Sequence, residues 1–556
     1  MKRTLYIVVS LLALVGMLLV ACQAPEPVVV TQIVQETVVV EGEEVEVPVT
    51  VQVTAAPEEE APTAEVELTM ESPMLAERVA AGELPPLEER LPLKPLVVKD
   101  GMISMAGAIP DLTLGQYGGT FRTAHQAGGL DVELFYTSVE PVVTGPDITL
   151  ENLYGNVFEA YEVSEDNTEF TFKLREGLKW SDGVPVTMDD VRFVIEDLYF
   201  NEEYGTVPGW LLSSDEANTP AEFEVVDDWT FRLKFQTPYG SLIKYLALTG
   251  WNSWHTLVLP KHYLQQWHPT YTDLADALEE ANLAPEEWPT LFNQMNCGNF
   301  QLGLIAEKCI AQPQLSPMIM TAVSSEGANF ERNPYYFKVD EAGRQLPYWD
   351  TWTSVRTADI EAANLLALNG DLDSYWQLDL LKAAMAMEMG KEKGYDLVLN
   401  LYLHADGNTF FFNGCTNDPV VRALFNDVRF RQACNYAMNR QEINDNVFLG
   451  FASLPENIQD SEYSQEKANA LLDEIGMTER DANGFRLSPD GQPVSILIEY
   501  PASGAMYGLV KATELFAAQL QEVGINAEPR ATDDAVLNER AVSHDVQIGG
   551  WETYIG

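Results

Sequence analysis

The last third of the chain alternates strand and helix, and this rhythm limits the architecture more than any other feature of the sequence. Val494 to Tyr500 is apolar and extended, Leu509 to Val523 has helical periodicity closed by Gly524, and Ile525 to Ala527 is extended again. A short helix around Asp534 to Ala541 then leads to a strand at Asp545 to Gly549. This β-α-β-α-β order argues for a mainly parallel sheet flanked by helices. In such sheets ligands bind beyond the carboxyl ends of the strands, so the loops after these strands are where a site is expected.

Upstream, Phe170, Phe172 and Leu174 alternate with Thr171, Lys173 and Arg175, the period of a half-buried strand. The Ser181-Asp182-Gly183 turn and Pro185 break the chain. Thr187 with Asp190 three residues later resembles a capping box, and Val191, Val194, Ile195 and Leu198 share one face of the helix predicted to follow. At 556 residues and 46% hydrophobic composition, the chain has the length for two or three domains and the material for a large core. Asp and Glu number 85 against 33 Lys and Arg, and the net charge of -52 repels a phosphate backbone, so no nucleic-acid partner is expected.

One segment, Leu5 to Val20, is apolar enough to engage a bilayer, and its 16 residues are short for a span, which excludes channels and polytopic transporters. Lys2 and Arg3 precede it and Leu19-Val20-Ala21-Cys22 ends it, the order of a cleaved secretory signal over residues 1–21. Leu-Val-Ala-Cys resembles the lipobox of bacterial lipoproteins, which implies that Cys22 is lipidated and anchors the mature chain outside the cytoplasm. Residues 22–100 are expected to form an acidic Val-, Glu- and Pro-rich tether: between Thr4 and Glu77 there are 13 Glu and no Asp, Lys or Arg. Like charges and prolines keep such a segment extended, while the Val alternation offers an isolated hairpin as the alternative.

Catalytic and metal motifs are scarce. The sequence contains no His-Glu-x-x-His, no phosphate-cradling glycine loop, no Gly-x-Ser-x-Gly elbow and no Cys-x-x-Cys. His255, His262 and His268 lie seven and six residues apart, beyond the usual helical metal pair, so structural or surface roles are expected and no metal or cofactor. With Cys22 assigned to lipid, Cys297, Cys309, Cys415 and Cys434 allow three pairings, and the sequence-local choice is Cys297 with Cys309 and Cys415 with Cys434. Phe430, Ala433, Cys434 and Ala437 also share a helical face after Asp427, which would make Cys434 a buried free thiol.

Glu159-Ala160-Tyr161-Glu162-Val163-Ser164-Glu165-Asp166, followed by Phe170-Thr171-Phe172-Lys173-Leu174-Arg175-Glu176-Gly177-Leu178-Lys179-Trp180-Ser181-Asp182-Gly183, resembles the signature of family 5 extracellular solute-binding proteins. These are receptors of ABC importers for oligopeptides, dipeptides, nickel and some oligosaccharides. Pro260-Lys261-His262-Tyr263, Glu331-Arg332-Asn333-Pro334-Tyr335-Tyr336 and Asp427-Val428-Arg429-Phe430-Arg431-Gln432-Ala433 keep the family's order, so the resemblance spans Gly118 to Trp551. It implies an α/β, two-lobed, periplasmic-binding-protein-like flytrap (type II, cluster C), with lobe one over residues 101–395 and lobe two over 396–556. Solute is held between the lobes and closure is read by the permease. Family members return from lobe two to complete lobe one, whereas this sequence stops at Gly556, so the resemblance implies a missing C-terminal part of about one hundred residues.

Peptide-binding members place an Asp three residues after a lobe-two Trp, where it pairs with the substrate's α-amino group. The matching Trp is Trp551, and the position of that Asp holds Tyr554, a phenol that cannot neutralise a buried ammonium as a carboxylate can. Glu552 is the available substitute, while an aromatic pair suits the CH faces of sugars and would otherwise pack the hinge. The candidate ligand-binding residues are therefore Trp551, Tyr554, Glu552, His125, Gln126, Trp251 and Trp254. The resemblance implies an oligopeptide or an oligosaccharide as solute, permease subunits as partners, membrane contact through lipid alone, a monomer, and no catalysis.

Overall fold

The computed structural model describes residues 29–40, 43–54, 69–102, 113–125, 133, 140–146, 150–205, 207–248, 257–297, 305–398, 409–453, 462–501 and 508–549. The chain divides into two units, residues 1–68 and 69–556. In the first, β1 (Val29–Val40) pairs antiparallel with β2 (Glu43–Thr54), from Val29 opposite Thr54 to Val40 opposite Glu43. Over these residues the chain takes the hairpin that the Val alternation offered as the alternative, because alternate β-branched Val favours the pleated backbone.

A correction concerns residues 69–98, which belong to the globular unit rather than to a tether. Helix α1 (Pro73–Ala80) is capped by Ser72, whose hydroxyl accepts the Met74 N–H and donates to the Asp350 carboxylate at 2.5 Å. Helix α2 (Leu87–Arg90) ends in a fully buried arginine. The Arg90 guanidinium meets the Glu71 carboxylate and donates to the Pro334 carbonyl at 2.6 Å and to Gln345 Oε1 at 3.3 Å. Strand β3 (Leu96–Val97) then pairs parallel with β11 (Lys338–Val339). A charge buried this deeply persists only when fully bonded, and two of these partners, Pro334 and Gln345, lie more than two hundred residues away.

Among the described residues, three four-stranded sheets organise the rest. The first joins β5 (Phe158–Val163), β6 (Glu169–Leu174), β8 (Thr230–Lys234) and β7 (Glu222–Val225) in that order, all antiparallel. Phe170, Phe172 and Leu174 are buried as their alternation predicts, and Phe172 stacks on Phe231 with ring centroids 5.2 Å apart. The expected capping box opens helix α3 (Met188–Arg192): the Asp190 carboxylate accepts the Thr187 N–H at 2.9 Å, the Lys261 N–H at 3.0 Å and the Trp180 indole N–H at 3.3 Å. Burial pushes the Asp190 pKa up, against these hydrogen bonds.

The second sheet has the order β9 (Met318–Ser324), β10 (Gly327–Arg332), β12 (Thr351–Arg356), β4 (Thr120–His125), with β12 and β4 parallel and β4 at the edge. The third is β13 (Phe411–Phe412), β16 (Ile548–Gly549), β14 (Ile496–Pro501), β15 (Ala527–Thr532), with β14 parallel to both neighbours. Helices α7 (Leu509–Glu522) and α8 (Asp534–Val542) make the crossovers, as the alternation requires. The middle strand runs from Ala527, later than expected, and among the described residues the last strand joins the ladder over Ile548 and Gly549, starting later than the expected Asp545.

Cys297 and Cys309 form the expected disulfide, with Cα atoms 5.5 Å apart. The pairing of Cys415 with Cys434 is corrected: both are free, Cys415 exposed and Cys434 buried with Phe430, Ala433 and Ala437 on helix α6 (Val428–Ala437). Burial drives the Cys434 thiol pKa far up, so the group remains an apolar filler.

Candidate functional site

The parallel strands β4 and β12 end together, with His125 opposite Arg356. His125 is buried; its Nδ1 lies 2.8 Å from the Ser354 hydroxyl, and its carbonyl accepts the Thr357 N–H at 2.8 Å and the Thr357 hydroxyl at 3.1 Å. Burial, reinforced by the Arg356 charge, lowers the imidazole pKa to about 4, so the ring is neutral near pH 7.

After β12, Asp359 caps α4 (Ile360–Asn369) by accepting the Ala362 N–H at 2.8 Å, and Gly370 closes the helix in the left-handed conformation, φ 76°. The chain then returns past β4, where Asp373 meets Arg122 and leads into Tyr375 and Trp376. The Trp376 N–H donates to the Glu133 carboxylate, which is only 4% exposed, while Trp376 itself is 36% exposed. The Tyr375 hydroxyl is buried and has no hydrogen-bond partner among the described residues, and its pKa is raised first by burial and then by the charges of Glu133 and Glu361. This ledge, carried by the segment that Asp373 ties to Arg122 of β4, thus presents a buried carboxylate, a buried phenol and an exposed indole. Its chemistry is that of a binding surface: an indole face packs on CH groups, and the polar atoms take hydroxyl or ammonium donors.

The third sheet ends on a charged cluster. Glu499 of β14 lies opposite both Arg530 of β15 and Gly549 of β16, and it is fully buried. Its carboxylate accepts from Arg540 of α8 twice at 3.1 Å, from the Thr532 hydroxyl at 3.1 Å and from the Arg530 guanidinium. Burial raises the Glu499 pKa, but the Arg540 and Arg530 hydrogen bonds outweigh it and hold the group below the usual carboxylate range. Arg540 also donates to the Asp545 carbonyl at 3.1 Å, so the cluster fixes the turn that enters β16.

Of the sequence candidates, His125 lies at the end of β4, whereas Trp551, Tyr554, Glu552, Gln126, Trp251, Trp254 and Cys22 lie outside the described residues. Glu133, Tyr375 and Trp376 were not anticipated. Their one local signal is the aromatic pair soon after the glycine that closes α4. His262 Nε2 lies 2.8 Å from Asp182 Oδ2, and buried His268 Nε2 lies 3.1 Å from the Asp197 carbonyl, which gives both rings structural partners. Among the described residues no group of three His, Cys, Asp or Glu could hold a metal ion, and no helix is long and apolar enough to cross a membrane.

The chain is 27% identical over 467 residues to the periplasmic alpha-galactoside-binding protein of Rhizobium meliloti, an alignment covering 74% of this chain and 60% of that protein. It spans less than two thirds of the length of the first two curated relatives it matches, 60% and 64%. Among solved structures, the oligopeptide-binding protein OppA is 30% identical with a TM-score of 0.52, over 86% of this chain and 74% of that one. MelB of Agrobacterium fabrum, a periplasmic binding protein solved in complex with stachyose, shares the fold at 22% identity and TM-score 0.62, over 87% and 73% of the two chains. The two-lobed α/β fold of periplasmic binding proteins is therefore the fold of this chain. The family described as bacterial extracellular solute-binding proteins, family 5 Middle, matches residues 152–300 and 318–555, and with more than half of its length so matched the chain belongs to the family 5 bacterial extracellular solute-binding proteins.

Proposed function

We propose that the chain is the lipid-anchored receptor of an ABC importer, a monomer without catalytic activity that captures an extracytoplasmic oligopeptide-class solute and hands it to the permease. The observation that carries the reading is the Glu133–Tyr375–Trp376 ledge beside strand β4 in a solute-binding fold. In this reading Cys22 carries the lipid, residues 101–395 and 396–556 are the two lobes, and Trp551, Tyr554, Glu552, Gln126, Trp251 and Trp254 face the solute together with the ledge. A second reading, an oligosaccharide, is favoured by the alpha-galactoside-binding relative, by the stachyose bound to MelB, and by the open Trp376 ring.

Calorimetry on the purified protein decides between them. Free-amine peptides, their N-acetylated forms, and neutral galacto- and manno-oligosaccharides form the panel. Binding that requires the free amine supports the peptide reading, and binding of neutral sugars alone supports the second. Turnover of any panel member would overturn the receptor reading.

A further inference from the structure

Arg122 and Asp373 are 251 residues apart and interlock by four hydrogen bonds. The Arg122 N–H donates to Asp373 Oδ2 at 2.8 Å, Arg122 Nε to the same oxygen at 2.9 Å, and Nη2 to Oδ1 at 2.9 Å. In return the Asp373 N–H donates to the Arg122 carbonyl at 2.9 Å. Both residues therefore engage with backbone and side chain at once, and a shift of one residue along β4 would break all four bonds.

The location explains the need. Among the described residues strand β4 is an edge, with β12 as its one neighbour in the sheet. An edge strand leaves a row of unpaired N–H and C=O groups, and Asp373 takes those of Arg122. The segment carrying Asp373 forms no strand of its own, so no ladder sets its position. Arg122 lies three residues before His125, and Asp373 two residues before Tyr375 and three before Trp376. The two side chains are 48% and 35% exposed, where Coulomb attraction is screened and contributes little; the guanidinium fork contributes geometry instead.

We propose that Arg122 and Asp373 are positioning residues for solute binding: their interlocked pair holds the Tyr375–Trp376 ledge in register with the end of β4. The pair needs no contact with solute. This rests on the reading of the ledge as a solute wall, and the two can fail separately.

Hydrogen–deuterium exchange on the full chain tests it, comparing wild type with Asp373→Asn, which removes the fork, and Arg122→Lys, which keeps the charge and loses the fork. Amides 374–377 should exchange roughly three- to tenfold faster in both variants, while those of β10 and β12 stay within about twofold. Unchanged exchange at the ledge, or equal acceleration throughout the sheet, overturns the proposal. Affinity for stachyose and trialanine, measured by calorimetry on the same proteins, reads the functional half. Whichever probe wild type binds should bind roughly three- to tenfold more weakly in both variants. Faster ledge exchange with unchanged probe affinity would keep the clamp and overturn the ledge as a solute wall.

Discussion

One imidazole, that of His125, should make a measurable share of this protein's acid sensitivity. His125 is buried at the end of β4 with its Nδ1 beside the Ser354 hydroxyl, and burial plus the Arg356 charge bring its pKa from 6.5 to about 4. A group whose folded pKa is depressed contributes stability that is fully present above its unfolded value and lost as pH falls towards the folded one. Above pH 6.5 the ring is neutral in both states, and below it the unfolded chain takes up a proton that the folded chain refuses. The proton-binding polynomials for these two values give a loss of about 2 kcal/mol between pH 7 and pH 5 from this one residue. The assay is urea unfolding across that range for wild type and for His125→Asn, whose side-chain amide can reach the Ser354 hydroxyl but does not titrate. The difference in stability between the two proteins should change by about 2 kcal/mol from pH 7 to pH 5, in favour of the variant at the acid end. An equal pH slope in both proteins, or an NMR titration that places the His125 ring near 6.5, would refute the argument.

The other expectations are briefer. Glu499→Gln should lower stability by about 2 kcal/mol, because two guanidiniums lose their shared buried carboxylate, and the wild-type advantage should shrink as pH falls towards and through the depressed Glu499 value; thermal unfolding of both proteins in a series from pH 7 downwards checks both. Arg90→Met removes the guanidinium that ties α2 to Glu71, Pro334 and Gln345, at a cost of about 3 kcal/mol, and limited proteolysis should then cut within residues 69–98 well before the rest. A thiol reagent applied to the native protein should modify Cys415 and leave Cys434 unmodified until urea is added, as peptide mass mapping would show.

Short-range physics made part of this protein readable. The burial of Phe170, Phe172 and Leu174 depends on a two-residue period, and the Thr187–Asp190 box on a three-residue spacing, so both are local facts. The crossovers around β14, β15 and β16 follow from the order of periodic segments, which already demands a parallel sheet. The start of the last strand did not follow: within the expected Asp545 to Gly549, all of it described, pairing begins at Ile548, where its partners are β14 and β13 across the sheet.

Residues 69–98 and the ledge were decided by tertiary structure alone. Nothing within ten residues of Arg90 marks it as buried, since two of the carbonyl oxygens that satisfy it belong to Pro334 and Gln345. Asp373 is one of 85 acids, and its sequence neighbourhood does not single out Arg122 among 33 basic partners. A helix or strand is chosen by interactions over a few residues, which periodicity records. An ion pair or a binding ledge is chosen by which distant segments the sheets bring side by side, and that information exists only once the chain has folded.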